Sequence, residues 1–366
     1  RYTARPMPAP ALTAALTTLP ALTQHLSTLG AQAIHRQRVL RLWTHALPIG
    51  SGRRKVVDFL PAPLLAALPT LLDALQGLAV LRSQHPGEDG SARLLSGLHD
   101  GQTVESVLLP RGGLCVSTQV GCAVGCRFCM TGTEGLIRQV GSAEIVAQVA
   151  LARGLRPVNK VVFMGMGEPA HNLDNVLDAI DLLGSVGNIG HKNLVLSTVG
   201  DERLFARLMA RVQGEAHEGP VKPALAVSLH TTDAALRAEL LPRAPRLSPL
   251  ALVDAADAYA RASGYPIQYQ WTLLAGVNDT DEELDAVAQL LHGRYGVLNL
   301  IPYNAVPGMP YERPSWERAA HMARTLHRQG ILTKLRHSAG QDVEGGCGQL
   351  RAREAVGKIA LWRPKS

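Results

Sequence analysis

From about residue 113 onward, short apolar runs alternate with longer stretches in which apolar residues recur every three or four positions. Short runs bounded by turn residues read as buried strands and the longer recurrence as amphipathic helix, so the alternation predicts repeated βα units around a parallel sheet. The expected strands are Leu114–Ser117, Lys160–Met166, Asn193–Thr198, Ala224–Leu229, Ile267–Leu274 and Val297–Pro302. Between and after them lie helix candidates with polar start signals: Ser142, Asn172, Asp201, Ser248, Asp279 and Ser315. Side-chain oxygens at such positions accept from the unpaired amides of a first helical turn. The pattern predicts an α/β fold, a partial (β/α)6 barrel. Ligands of such barrels gather where the strands end. The unusual residues fall there: Met166-Gly167-Glu168-Pro169, Ser197-Thr198, Ser228-Leu229-His230 and Pro302-Tyr303-Asn304.

The chain before residue 93 has a different character. A basic helix candidate, His35–Trp43, is followed by Arg53, Arg54 and Lys55. This predicts a small helical accessory domain over 21–92, preceded by a flexible leader over 1–20. The leader's Ala/Leu/Thr stretch is too interrupted by prolines and threonines for a secretory signal. The segment SQHPGEDG marks a turn before a short connecting β-hairpin that bends at Gly101 and leaves through Val104–Leu109. The barrel is expected over 93–352 and a tail over 353–366.

Composition narrows the possibilities. At 46% hydrophobic and 18% charged, the 366 residues can bury a substantial core. Only 4% are aromatic, which argues against an RNA binder built on aromatic platforms and leaves charge and shape as the expected means of contact. The formal charge of +7 attracts polyanions in general, although single arginines such as Arg36, Arg38 and Arg41 are more often solvated faces. No run approaches the roughly 18 apolar residues of a membrane span. The expectation is a cytoplasmic protein with no membrane partner.

Five cysteines complete the picture: Cys115, Cys122, Cys126, Cys129 and Cys347. An odd number with four crowded together is unlike a secreted disulfide framework. The segment LCVSTQVGCAVGCRFCMTG sets three thiols at C-x3-C-x2-C, separated by small residues that let backbone wrap a bulky group. Three local thiolates leave one iron of a four-iron cluster open. Zinc is the alternative, with Cys115 or Cys347 completing four closed ligands. Phe128 before the third thiol turns the motif into C-x3-C-x-aromatic-C, which resembles the radical SAM superfamily. That resemblance implies a [4Fe–4S] cluster on Cys122, Cys126 and Cys129, with S-adenosylmethionine chelating the open iron.

The match extends through VESVLLP, CVSTQVGCAVGCRFC, VVFMGMGEPAHN, LSTVG, LAVSLH, LLAGVND, IPYN and GCGQL, in that order. From about Arg93 to Ala352 the chain resembles the RlmN/Cfr family of RNA adenine methyltransferases. The resemblance implies that Cys347 carries a methyl group, that Cys115 releases the product as a Cys115–Cys347 disulfide, and that Glu105 accepts a proton, with the Cys115 thiolate as the alternative acceptor. It also implies that Gly167, Glu168, Ser197, Ser228, Leu229, His230 and Asn304 contact S-adenosylmethionine. Expected partners are 23S rRNA, transfer RNA as a second substrate, a low-potential electron donor such as flavodoxin, and a thiol reductant, all acting on a monomer. The product expected is adenine methylated at C2. The alternatives are C8 or another RNA, and, in a different class, an iron–sulfur nucleic-acid binder without methyltransferase activity. One departure from the family is Arg336–Val343, RHSAGQDV, where many members carry an Arg-Gly-x-Asp-Ile-type stretch. Without the resemblance, Cys115 reads as a small buried hydrophobe and Glu105 as one face of a strand.

Overall fold

A computed structural model describes residues 9–52, 55–214 and 220–352. Four helices come first: α1 (Ala9–Ala15), α2 (Leu19–Thr28), α3 (Ala33–Thr44) and α4 (Ala62–Gln76). A meander follows, made of β1 (Val80–Pro86), β2 (Ala92–Gly97) and β3 (Thr103–Leu109), and leads into β4 (Gly113–Cys115). A separate two-stranded ribbon, β5 (Gln119–Gly121) with β6 (Leu136–Gln139), brackets the three-cysteine loop. The chain then runs α5 (Ser142–Leu155), β7 (Lys160–Phe163), α6 (Leu173–Gly184), β8 (Leu194–Thr198), α7 (Glu202–Gln213) and β9 (Ala224–Ser228). It continues as α8 (Ala234–Leu240), α9 (Pro249–Ser263), β10 (Ile267–Leu273), α10 (Asp281–Leu291), β11 (Gly296–Pro302), α11 (Trp316–Arg328) and β12 (Thr333–Leu335).

The large sheet has the order β1-β2-β3-β4-β7-β8-β9-β10-β11-β12. Pairings are antiparallel as far as β4 and parallel from there to β12. The six expected parallel strands are all present, and the short β12 extends them by one. Strands β4, β7, β8 and β9 are buried along nearly their whole length, as parallel strands covered on both faces must be. Asn172, Asp201, Ser248 and Ser315 all stand at helix N-caps. Two starts shift. Gly141 caps α5, its amide donating to Glu144 at 2.8 Å, which frees Ser142 to accept from Leu19 N–H at 2.8 Å. Thr280 rather than Asp279 caps α10.

Two expectations about the N-terminal region need correction. Within the leader expected over 1–20, Ala9–Ala15 is helical and Leu12 and Leu16 are buried, with the Thr13 hydroxyl donating to Ala74 O of α4 at 3.0 Å. Spaced leucines let this segment bury a face, which outweighs its prolines and threonines; residues 1–8 lie outside the described residues. The accessory helices end at Gln76, and β1 occupies residues assigned to a helical domain up to 92. Strand β1 is an edge strand with an exposed and half-exposed pattern, so it carries little apolar signal by which to find it. The tail at 353–366, Arg53 and Arg54 lie outside the described residues. Helices α1 to α4 share one core with the barrel. Ala143 N–H donates to Thr17 O at 3.0 Å and Arg153 to Thr44 O at 2.9 Å, fixing them against α5.

Candidate active site

The loop between β5 and β6 closes on itself because of glycine. Gly121 has φ +75°, and a Cβ there would stand 2.0 Å from Gly135 O, so any other residue would force the loop ends apart. Cys122 N–H donates to the same carbonyl at 2.9 Å. The three thiols of the loop line a cleft at the tips of the parallel strands, together with Gly167, Glu168, Ser197, Ser228, His230 and Cys347. Residues from the motif, from the ends of β7, β8 and β9 and from the C-terminal loop thus meet at one place.

Burial raises all three thiols. Cys126 lies well above the ordinary thiol range, with the charges of Cys129 and Cys122 adding to burial. Burial pushes Cys122 up to about 11, and raises Cys129 against the hydrogen bonds that Thr131 and Gly132 offer it. Three thiolates here are stable only beside compensating cations, which is what coordinated iron supplies. Soft sulfur donors on a glycine-rich loop fit an iron–sulfur cluster. They do not converge on a single-ion point; among the described residues no three His, Cys, Asp or Glu side chains do.

Across the cleft, Glu168 is held rigidly. Its Oε1 accepts from Ala170 N–H at 3.0 Å and its Oε2 from Val199 N–H at 3.0 Å. Burial raises its pKa, so a cationic partner would favour the charged carboxylate. Gly167, at φ +102°, has no room for a side chain, because a Cβ would lie 2.5 Å from that of Gln119. Gln119 braces this turn, accepting from Glu168 N–H at 2.8 Å and donating to Gln139 at 2.9 Å. Sequence reasoning missed Gln119, whose only signal was its place inside the cysteine motif.

Ser197 and Ser228 line the cleft from the ends of β8 and β9. Leu229 does not; it is fully buried in the core, with its amide donating to Gln270 O at 3.0 Å. His230 adopts φ +63° and turns its ring edge against Phe128, centroids 4.9 Å apart. Its Nδ1 accepts from Thr272 N–H at 3.0 Å, which assigns the proton to Nε2. Burial pulls its pKa down to about 3, with Arg237 adding to the effect, so the ring is neutral. Arg237, on α8, was also missed. This buried cation reaches the carbonyls of Val199 and Ser228, the latter at 3.1 Å, and feels the charges of Cys126 and Glu168. No motif announced it, because its role comes from packing α8 over the cysteine loop.

The two remaining cysteines come together from far apart in the chain. Cys347 is reached by solvent and lines the cleft, yet surrounding protein raises its pKa, against the lowering effects of Ser338 and Arg336. It also feels the charge of Cys129. Cys115 ends β4, behind the cleft wall. Burial and then the charge of Cys347 push its thiol up to about 12, while the Met164 backbone holds it by a hydrogen bond. Asn304 joins the Cys347 loop directly. Its Nδ2 donates to Cys347 O at 3.0 Å and to Ser338 Oγ at 2.9 Å, while its Oδ1 is buried and has no partner among the described residues. Asn304 itself is not among the residues that line the cleft.

Glu105 does not line the cleft. It pairs with Arg93, both side chains being buried, and its other oxygen accepts from Arg351 N–H at 2.8 Å and Ala352 N–H at 3.1 Å. Arg93 Nε in turn donates to Val343 O at 2.6 Å, and Asp89 at the tip of the β1–β2 turn accepts from Gly340 N–H at 3.0 Å. The meander therefore grips the Cys347 loop on both sides.

A parallel βα sheet whose strand tips face a three-thiol loop defines a class. The chain belongs to the radical SAM superfamily, whose family model matches residues 116–291; the superfamily's cofactors are a [4Fe–4S] cluster and S-adenosylmethionine. Within it, the chain belongs to a family of methyltransferases. It is 71% identical over 325 residues to a probable RNA methyltransferase of Leptothrix cholodnii, covering 89% of this chain and 91% of that one. It is 69% identical over 335 residues to a probable RNA methyltransferase of Aromatoleum aromaticum, covering 92% of each. The crystal structure of a radical SAM methyltransferase from Sphaerobacter thermophilus shares the fold at a TM-score of 0.79 and 32% identity, over 95% of this chain and all of that one. No helix among the described residues is long and apolar enough to cross a membrane.

Proposed function

We propose that this protein methylates C2 of an adenine in 23S rRNA, with transfer RNA as a second substrate, through a methyl group carried on Cys347. The observation that carries this reading is the arrangement of the two non-ligand thiols: Cys347 lines the cleft with Cys129, and Cys115, behind the wall of that cleft, is near enough for the charge of Cys347 to raise it. A radical SAM enzyme of another kind has no evident use for both.

Cys122, Cys126 and Cys129 would hold the cluster. When bound, it supplies the electron that cleaves S-adenosylmethionine to a 5′-deoxyadenosyl radical. Glu168 offers its carboxylate to the cofactor's ammonium group, an interaction favoured by opposite charge. Ser197, Ser228 and neutral His230 complete the polar lining, and Asn304 acts on the site through its hold on the Cys347 loop. Leu229 contributes backbone only. Cys347 takes its methyl from one S-adenosylmethionine as a thiolate nucleophile. The 5′-deoxyadenosyl radical takes a hydrogen atom from that methyl and leaves as 5′-deoxyadenosine. The carbon radical so formed adds to an electron-poor adenine carbon, which a sulfonium methyl cannot alkylate, and the adduct gives back the one electron spent on cleavage and loses its ring proton. Attack by the Cys115 thiolate on Cys347 sulfur then breaks the sulfur–carbon bond, the released carbon takes a proton to become the methyl group of the base, and a disulfide is left for an external thiol to reduce. Between the two candidate proton acceptors the geometry favours Cys115, since both oxygens of Glu105 are occupied in holding the loop.

The test is direct. RNA from cells with and without the gene is digested to nucleosides and compared by mass spectrometry. Loss of 2-methyladenosine from ribosomal RNA is expected; 8-methyladenosine in its place would move the reaction to C8. No change in any methyladenosine would reject the reading. Independently, Cys115→Ala protein should carry RNA covalently on Cys347, seen by intact mass before and after nuclease treatment.

A further inference from the structure

Among the described residues, two aromatic side chains are counted as large exposed hydrophobics: Tyr295 and Trp316, the latter 49% exposed. Their positions differ in kind. Tyr295 precedes β11 and so lies at the rim away from the cleft, where its hydroxyl donates to Gly264 O at 3.3 Å. Trp316 opens α11, directly after the β11 loop, and so stands on the rim that carries the cleft. His337 follows β12 on the same rim and is also exposed. The two rings stack nearly parallel, with centroids 4.7 Å apart and planes inclined by 20°.

This stack is wired to the reacting thiol. Ser338, the next residue, shares the Asn304 amide with Cys347 O and lowers the Cys347 thiol through its own hydrogen bond. Arg336, the preceding residue, is close enough for its charge to act on the same thiol. Local charge is mixed: Arg313 and Arg336 are set against Glu312 and Glu317, all four exposed. Cations also stand near Arg336, whose charge and that of Lys334 act on Lys160, so the aromatic surface has to be tested apart from charge.

We infer that Trp316 and His337 form a stacking platform at the mouth of the cleft for an unpaired base of the substrate RNA, next to the base that enters it. The inference rests on the RNA reading above and deepens it. A base chosen for chemistry must leave its stack, and its neighbours then need a surface to replace the stacking they lose. Aromatic rings supply that for any base, because each base has a π face. His337 belongs to the stretch Arg336–Val343 that leads into the Cys347 loop, so the platform bears on which RNA is accepted.

The experiment measures binding of the cluster-loaded protein to a single-stranded oligoadenylate and, separately, to heparin, a polyanion without bases. Trp316→Ala should weaken oligoadenylate binding on the order of tenfold, His337→Ala less, and Trp316→Phe least, with heparin affinity and the salt dependence unchanged. In a Trp362→Phe background, oligoadenylate should also quench tryptophan fluorescence while Trp316 is present and much less once it is replaced by Phe, since the remaining Trp43 and Trp271 are buried. Unchanged oligoadenylate affinity in both alanine variants overturns the inference. An equal loss for heparin does so too, because it would mark a charge or folding effect. A wild-type protein that fails to bind oligoadenylate overturns the platform whatever its activity; the RNA reading itself falls only if the nucleoside comparison also shows no change.

Discussion

Asn304 donates one amide nitrogen to the carbonyl of Cys347, at 3.0 Å, and to the hydroxyl of Ser338, at 2.9 Å. A residue at the end of β11 therefore sets where the Cys347 loop rests. Asn304→Asp replaces that shared donor by an acceptor facing two oxygens. We expect a loosened loop, read as faster amide hydrogen exchange over 338–350, and a smaller methylated fraction of Cys347 by intact mass. An exchange pattern equal to wild type would dissociate Asn304 from loop placement.

Glu105 and Arg93 form a buried pair that also anchors the amides of Arg351 and Ala352. Removing one partner of such a pair leaves an uncompensated buried charge and costs about 3–5 kcal/mol. Glu105→Ala should show that loss in denaturant unfolding. Glu105→Gln keeps an acceptor for the two amides and should lose less stability. If Glu105→Gln abolishes turnover while its loop exchange and stability stay close to wild type, a proton-transfer role for Glu105 is restored.

Gly121 permits the close approach of the cysteine loop to Gly135. A side chain at φ +75°, so near a backbone oxygen, forces the strands of the ribbon apart. Gly121→Ala should reduce bound iron and acid-labile sulfide after anaerobic reconstitution, with the thermal transition of the barrel largely retained. Full iron loading would show that the loop accommodates a methyl group.

His230 is neutral in the folded protein because burial draws its pKa down to about 3, whereas an unfolded histidine titrates at its ordinary value of 6.5. Its contribution to stability is complete above the unfolded value. As pH falls below 6.5 the unfolded chain takes up a proton that the folded chain refuses, and stability is lost until the folded pKa is passed. Within that window the slope approaches about 1.4 kcal/mol per pH unit. Urea unfolding at pH 7 and pH 5 should show this slope in the wild type, and His230→Gln should lack that part of it. Identical slopes in both proteins would exclude His230 as its source.

Local signals were legible without a structure. The spacing of Cys122, Cys126 and Cys129, the polar residues closing each apolar run, and most helix caps depend on neighbours a few positions apart, so periodicity and motif reveal them. By contrast, edge strand β1 lacked the apolar pattern that betrays a strand, and α1 hid behind prolines although its leucines pack into the core. The short α8, which delivers Arg237 to the strand tips, had no separate signature.

What the sequence determined by itself is the chemistry available: three thiols for a cluster, two further thiols outside it, and strand ends able to bind a cofactor. Tertiary structure alone decided how these are deployed. It set Cys115 behind Cys347, committed Glu105 to Arg93 and the loop amides, braced Glu168 through Gln119, and stacked Trp316 on His337. The physical reason is range. Backbone preference and hydrophobic period act over a few residues, whereas a hydrogen bond, a buried charge or a ring contact depends on distance through space, which only the folded chain establishes.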